Sequence, residues 1–200
     1  MPSQLVFLPG ASGNRAFWAP LAECLAHPAE RVLMGWPGFG TLPADPQVRG
    51  IEDLVGQVVA RLDRPTALIA QSMGGVVAVL AALQRPEQVT HLVLTVTSGG
   101  LDLQSLGAED WRSEFSACYP QLPAWFCDYH DDLGAQLATL DIPTLLLWGD
   151  ADPISPVRVG QRLQTLLPHA HLQVFAGGGH DLAQVMAAQV APWVDGHLAG

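Results

Sequence analysis

Six apolar runs of strand length, separated by amphipathic runs of helix length, restrict the folds open to this chain. The strand-like runs fall at residues 5–8, 31–34, 66–70, 91–97, 144–148 and 171–175. Helical periodicity covers 15–25, 51–62, 74–83, 156–167 and 182–198, the last with a possible break at Pro192. In the second helix Ile51, Leu54, Val55, Val58 and Val59 share one face. Connections of this length force parallel pairing with right-handed crossovers. The expected fold is α/β: a doubly wound, mostly parallel six-stranded sheet with helices on both faces. In such sheets ligands sit beyond the carboxyl ends of the strands, so reactive groups are sought there.

Composition narrows the class further. Two hundred residues, 49% apolar and 14% charged, suit one compact domain spanning residues 1–200. No apolar run reaches the roughly 18 residues of a membrane span, and no membrane partner is expected. The start, Met1-Pro2-Ser3-Gln4, leads straight into a strand and carries no leader-like pattern. Cys24, Cys118 and Cys127 are scattered without metal spacing, as in a reducing cytoplasm. Net charge is −10, there is no lysine, and the nine arginines form no cluster. That argues against nucleic acid as a partner.

Three strand ends carry chemistry. After the third run comes Ala70-Gln71-Ser72-Met73-Gly74-Gly75. A strand turning this abruptly into a helix strains its middle residue and presents the serine above the sheet, a nucleophile elbow. After the fifth comes Gly149-Asp150-Ala151-Asp152-Pro153. Asp152 is the residue expected to orient a histidine, while Asp150 suits a turn or helix cap. After the sixth comes Gly177-Gly178-Gly179-His180, a loop that lets an imidazole reach over the sheet. The other histidines (His27, His91, His130, His169, His171 and His197) have no such setting. Ser72, Asp152 and His180 stand in the chain order Ser…Asp…His, each behind a strand of one parallel sheet. Behind the first strand, Pro9-Gly10-Ala11-Ser12-Gly13 is a glycine-bearing loop able to aim backbone N–H groups at a developing negative charge.

Over nearly its whole length the sequence resembles the α/β-hydrolase superfamily. The resemblance rests on Leu-Pro-Gly-Ala-Ser-Gly at 8–13, Gly-Trp-Pro-Gly-Phe-Gly at 35–40 and Ala-Gln-Ser-Met-Gly-Gly at 70–75. It rests further on Leu-Trp-Gly-Asp-Ala-Asp-Pro-Ile at 147–154 and Gly-Gly-His-Asp at 178–181. Pro9 and Ala70 stand where that family more often has histidine and glycine, and neither is a triad position. The family's N-terminal hairpin is missing, and its cap is confined to about residues 98–143. A small lid and a shallow or open pocket are therefore expected.

The resemblance implies a serine hydrolase with Ser72 as nucleophile, His180 as base and Asp152 as orienting acid. The backbone N–H groups of Ala11 and Met73 are the implied oxyanion donors. No metal or organic cofactor is implied. The partner is a small-molecule ester or thioester. C–C bond hydrolysis, perhydrolysis, a lyase reaction or a catalytically silent binding role remain as alternatives on the same scaffold. Trp111, Phe115, Trp125, Phe126 and Tyr129 crowd the cap, and Trp18 and Trp36 fall near the expected mouth. Of these, Trp18, Trp36, Trp111 and Trp125 are the candidate substrate contacts. Arg15 and Arg158 lie near enough in the pattern to hold a substrate carboxylate.

Overall fold

The computed structural model describes residues 1–39, 42–120, 122–123, 125–129 and 132–200. Gly40, His130 and the Phe126 side chain, singled out above, lie outside the described residues.

Six strands, β1 (Gln4–Leu8), β2 (Glu30–Leu33), β3 (Thr66–Gln71), β4 (Val89–Thr95), β5 (Thr144–Gly149) and β6 (Ala170–Phe175), form one sheet. Its order is β2-β1-β3-β4-β5-β6, and every pairing is parallel. Of the central strands, β1, β3 and β5 are buried along their whole length and β4 at every residue but Thr90, which is why their sequences read as apolar runs rather than alternating ones. The edge strands β2 and β6 carry exposed residues.

The register sets up the site. Leu8 pairs with Ala70, Gln71 with Thr95, and Gly149 with Phe175. The strands thus end nearly level, and the loops that follow rise on one side of the molecule.

Helices cover the faces. α1 (Ala19–Cys24) follows a 3₁₀ turn at Arg15–Trp18, so the helix expected over 15–25 is divided. Pro20 explains this: it sits in the first turn of α1, lacks an N–H, and favours a helix start at that point. The Asn14 side chain caps the 3₁₀ turn by accepting the Ala16 N–H at 2.9 Å. α2 (Ile51–Val59) buries Ile51, Leu54, Val55 and Val58. α3 (Met73–Gln84) is buried at nine of its twelve residues. α7 (Val157–Leu166) buries Val159, Gly160 and Leu163, and a Cβ on Gly160 would meet Trp148 at 2.8 Å.

The last helical stretch divides into α8 (Leu182–Val185) and α9 (Ala187–Leu198). The break falls at Met186, and Pro192 sits within α9. Between β4 and β5 lie a 3₁₀ turn (Gln104–Leu106) and three short helices, α4 (Arg112–Cys118), α5 (Trp125–Asp128) and α6 (Gly134–Leu137). Among the described residues no helix is long and apolar enough to cross a membrane.

Candidate active site

Ser72 occupies the junction between β3 and α3 with φ 53° and ψ −124°. A side chain rarely adopts such a backbone, at a cost of order 1–3 kcal/mol. Three hydrogen bonds brace it. The Ser72 N–H donates to the Thr95 carbonyl at 3.1 Å. Its own carbonyl accepts the Thr97 hydroxyl at 2.6 Å and the Gly75 N–H at 2.9 Å. Gly74 is required by close approach: a Cβ there would lie 2.5 Å from the carbonyl oxygens of Leu8 and Pro9.

His180 stands above this junction. Its Nε2 lies 3.0 Å from Ser72 Oγ, and its Nδ1 lies 2.7 Å from Asp152 Oδ2. The Asp152 side chain is fully buried, whereas that of His180 is 25% accessible. The second aspartate oxygen, Oδ1, accepts the N–H groups of Ile154 at 2.9 Å and Ser155 at 3.2 Å. Those two bonds fix the carboxylate plane. The structure thus brings Ser72, His180 and Asp152 into one hydrogen-bonded line, with the imidazole between hydroxyl and carboxylate. A neutral imidazole held this way donates from Nδ1 to the carboxylate and accepts the serine proton at Nε2.

The acid loop and the histidine loop are stitched together. The Asp150 side chain accepts the Gly177 N–H at 2.6 Å, and the Ala151 N–H donates to the Gly178 carbonyl at 3.0 Å. Asp150 is therefore the turn-capping residue of the pair.

Two buried groups escape sequence reasoning. Gln71, next to the serine, donates from Nε2 to the His180 carbonyl at 3.0 Å. Thr97 holds the serine carbonyl. Their side chains are ordinary in sequence. Only the small-residue pattern of Gly74-Gly75 hints that something packs tightly there; a Cβ on Gly75 would collide with Thr97.

Ala11 and Met73 flank the serine. The loop bearing Ala11 is turned by a Gly13 N–H to Gly10 carbonyl bond at 3.0 Å. It is anchored by Trp36, whose Nε1–H donates to the Pro9 carbonyl at 2.9 Å. Met73 begins α3, where backbone N–H groups and the helix dipole favour negative charge.

Two cavities open on Ser72. The inner one, about 420 Å³, is lined by Met73, Val76, Leu101, Trp111, Trp125 and Tyr129, among others. The outer one, about 620 Å³, is lined by Ala11, Phe17, Phe115 and Tyr119 among others. Both fall in the range usual for small-molecule sites, roughly 300–1,000 Å³. Trp111 and Trp125 lie where a substrate contact is expected. Trp18 and Trp36 do not: both are completely buried and line neither cavity. Trp18 packs on Phe7 and Phe17 at ring separations of 5.7 and 5.0 Å, and Trp36 serves as the anchor just described. Both rings fill the layer beneath the loops instead of standing at the mouth. Arg15 and Arg158 line neither cavity; the arginine beside the inner one is Arg112. Among the described residues no group of three histidine, cysteine or acidic side chains could hold a metal ion.

Comparison with known proteins agrees with this architecture. A family model described as the alpha/beta hydrolase family matches residues 5–106, and one described as the alpha/beta hydrolase fold matches residues 122–183. A biotin biosynthesis bifunctional protein of Teredinibacter turnerae is 25% identical over 89% of this chain, which spans only 41% of that longer protein. A pimeloyl-(acyl-carrier protein) methyl ester esterase of Aliivibrio salmonicida is 22% identical over 89% of this chain and 85% of its own length. The solved structure of a thermophilic esterase from Thermogutta terrifontis, with malate bound, superposes with a TM-score of 0.81 at 19% identity. It covers 98% of this chain and 89% of its own.

Proposed function

The chain belongs to the alpha/beta hydrolase family, and from that premise we propose that it is a serine hydrolase cleaving a small, uncharged carboxylic ester or thioester through an acyl-enzyme. The observation that carries this reading is the line Ser72–His180–Asp152, with spacings of 3.0 and 2.7 Å.

Ser72 Oγ attacks the acyl carbon while His180 Nε2 takes its proton. Asp152 holds the imidazole tautomer and steadies the imidazolium. The oxyanion that forms is received by the N–H groups of Ala11 and Met73; losing one such donor costs about 10²–10³ in rate. His180 returns the proton to the leaving oxygen or sulfur, which departs and leaves Ser72 acylated. A water, deprotonated by His180, then attacks the ester of Ser72 and frees the acid. In this reading residues 98–143 are a cap inserted in a single domain of residues 1–200.

Charge supports a small neutral substrate. Residues 102–132 carry seven acids against Arg112 alone, so an acyl group borne on an acidic carrier protein meets like charge at the mouth. The reading is tested by hydrolysis of p-nitrophenyl butyrate with the wild type and Ser72→Ala. The variant is expected to lose at least a thousandfold in kcat/KM while keeping its circular dichroism spectrum. Equal turnover by both proteins would overturn the nucleophile. Fluorophosphonate labelling of Ser72 without any ester turnover would overturn ester cleavage in favour of the other acyl or C–C chemistries. Micromolar binding of an acyl carrier protein would overturn the small-substrate part.

A further inference from the structure

Three buried polar groups on the wall of the inner cavity lack a partner. Ser155 Oγ, Arg112 Nε and Trp125 Nε1 find no hydrogen-bond acceptor or donor among the described residues. Ser155 is only 2% accessible, and the bond from its N–H to Asp152 at 3.2 Å holds it at the cavity wall. Trp125 opens α5, and its ring packs edge-on against Phe39 at 5.7 Å. Arg112 opens α4, and its Nη1 comes no nearer than 3.8 Å to Asp110. Among the described residues the outer cavity has no such group on its wall.

A buried donor of this kind is met by ordered water or by a ligand. All three groups can donate, so the cavity calls for acceptor oxygens. Asp102, Glu109 and Asp110 line the same cavity and are exposed. They repel an anion and offer acceptors to a donor. A carboxylate is therefore refused, and an ether or ketone answers half of the pattern. A hydroxyl answers both halves, because it accepts and donates. The donors also come from three separate places, α4, α5 and the loop before α7. Several hydroxyls on a tetrahedral carbon chain suit that spread better than one planar amide.

The two halves of the reaction place this group. The leaving oxygen departs with a proton from His180 Nε2, and the water that attacks the acyl-enzyme gives a proton to the same nitrogen. Both oxygens pass through one position, so the side that holds the alcohol must also admit water. A wall with unmatched donors does so.

We propose that the inner cavity binds the alcohol part of the substrate, and that this alcohol is a neutral polyol held by Ser155, Trp125 and Arg112. This rests on the serine-hydrolase reading above. In the first step the ester C–O bond breaks, the polyol oxygen takes the proton held by His180, and the acyl group stays on Ser72. Water then fills the vacated place and releases the acid.

The test compares glycerol 1-butyrate with propyl butyrate, whose alcohol has the same carbon chain and lacks the two free hydroxyls. With each kcat/KM divided by the ester's rate with hydroxide, the wild type is expected to prefer the glycerol ester about tenfold or more. A site built to bond a substrate hydroxyl rejects the analogue without it. A ratio near one, or below it, would overturn the polyol site and leave the donors to water alone. Ser155→Ala and, independently, Trp125→Phe each remove one donor and keep most of the bulk. Each is expected to lower the preference about threefold or more, the loss of one hydrogen bond. A preference unchanged in both, for variants with wild-type circular dichroism, would overturn the assigned residues. Binding is read separately in Ser72→Ala by tryptophan fluorescence. Glycerol 1-butyrate is expected to bind about fivefold or more tightly than propyl butyrate, which cannot replace the displaced water's hydrogen bonds. Equal affinities would overturn the polyol site whether or not any ester is turned over. Dependence of p-nitrophenyl butyrate cleavage on Ser72 tests the parent reading by itself, because it holds or fails whatever the preference for hydroxyls.

Discussion

Gln71 and Ser72 are neighbours in the chain, and both grasp the same histidine. Ser72 meets the His180 ring, and Gln71 meets its backbone carbonyl. The imidazole is thus held from two sides before Asp152 acts on it. Replacing Gln71 with Leu, of similar bulk but without a donor, releases the backbone side alone. We expect kcat to fall roughly 10- to 100-fold, the scale of a 1 Å misplacement, with KM nearly unchanged. Steady-state kinetics check this, and a loss confined to thermal stability would contradict it. The hydrogen-bonded line of Ser72, His180 and Asp152 was legible in sequence because each member stands at a strand end in a recognisable turn. Gln71 was not, because its partner lies 109 residues away and an amide in a buried strand carries no sign of its target. Trp18 and Trp36 misled for the same reason. Position beside a loop says nothing about whether a ring points up to solvent or down into the core, where both lie.

At the scale of elements, the end of β4 departs from its expected bounds. The apolar run continues to Thr97, yet the strand stops at Thr95 because Val96 adopts φ 41°. For a β-branched residue that is a strained conformation, and it turns Thr97 toward the serine carbonyl. The opposite end of β4 packs on α9 through two histidines. His91 and His197 rings meet edge-on at 5.1 Å, and His197 Nε2 lies 3.1 Å from the Leu92 carbonyl. Burial, then the neighbouring His197, pushes the His91 imidazole down to about 4 from 6.5. Burial lowers His197 as well.

The linkage has a definite sign. Between about pH 4 and 6.5 the unfolded chain binds a proton at His91 that the folded chain does not. Stability is therefore full above about 6.5 and is lost as pH falls toward 4. The His91 contribution is at most roughly 3 kcal/mol. Thermal melting from pH 7.5 to 4.5 should show a decline that flattens in His91→Gln; an equal decline in both proteins would contradict the assignment.

For the molecule as a whole, the alternation of strands and helices was enough to read the sheet, its parallel sense and the side on which chemistry lies. The two cavities were not readable. They form where the β4–β5 connection folds back over loops from four other places in the chain, and short helices in such a connection carry little periodicity. The same assembly concentrates charge. Asp102, Glu109, Asp110, Glu114 and Asp181 line the cavities against one arginine, Arg112, whose Nη1 lies 3.8 Å from Asp110. A field of one sign around an apolar cleft selects by charge and weakens with salt. The p-nitrophenyl monoester of succinic acid should therefore react at least about fivefold more slowly than the neutral butyrate in 10 mM salt. That gap should narrow in 0.5 M sodium chloride; a salt-independent gap would point to shape instead.

The strained turn at Ser72 has one more use. The serine holds its backbone only while Thr95, Thr97 and Gly75 grip it, and its hydroxyl meets an imidazole only while β3 and the loop after β6 are both in place. An unravelled chain offers an ordinary, inert alcohol at this position. If Ser72 is the nucleophile we propose, its covalent capture by a fluorophosphonate counts native molecules, and with the purified protein it serves as a gauge of folding as well as of activity.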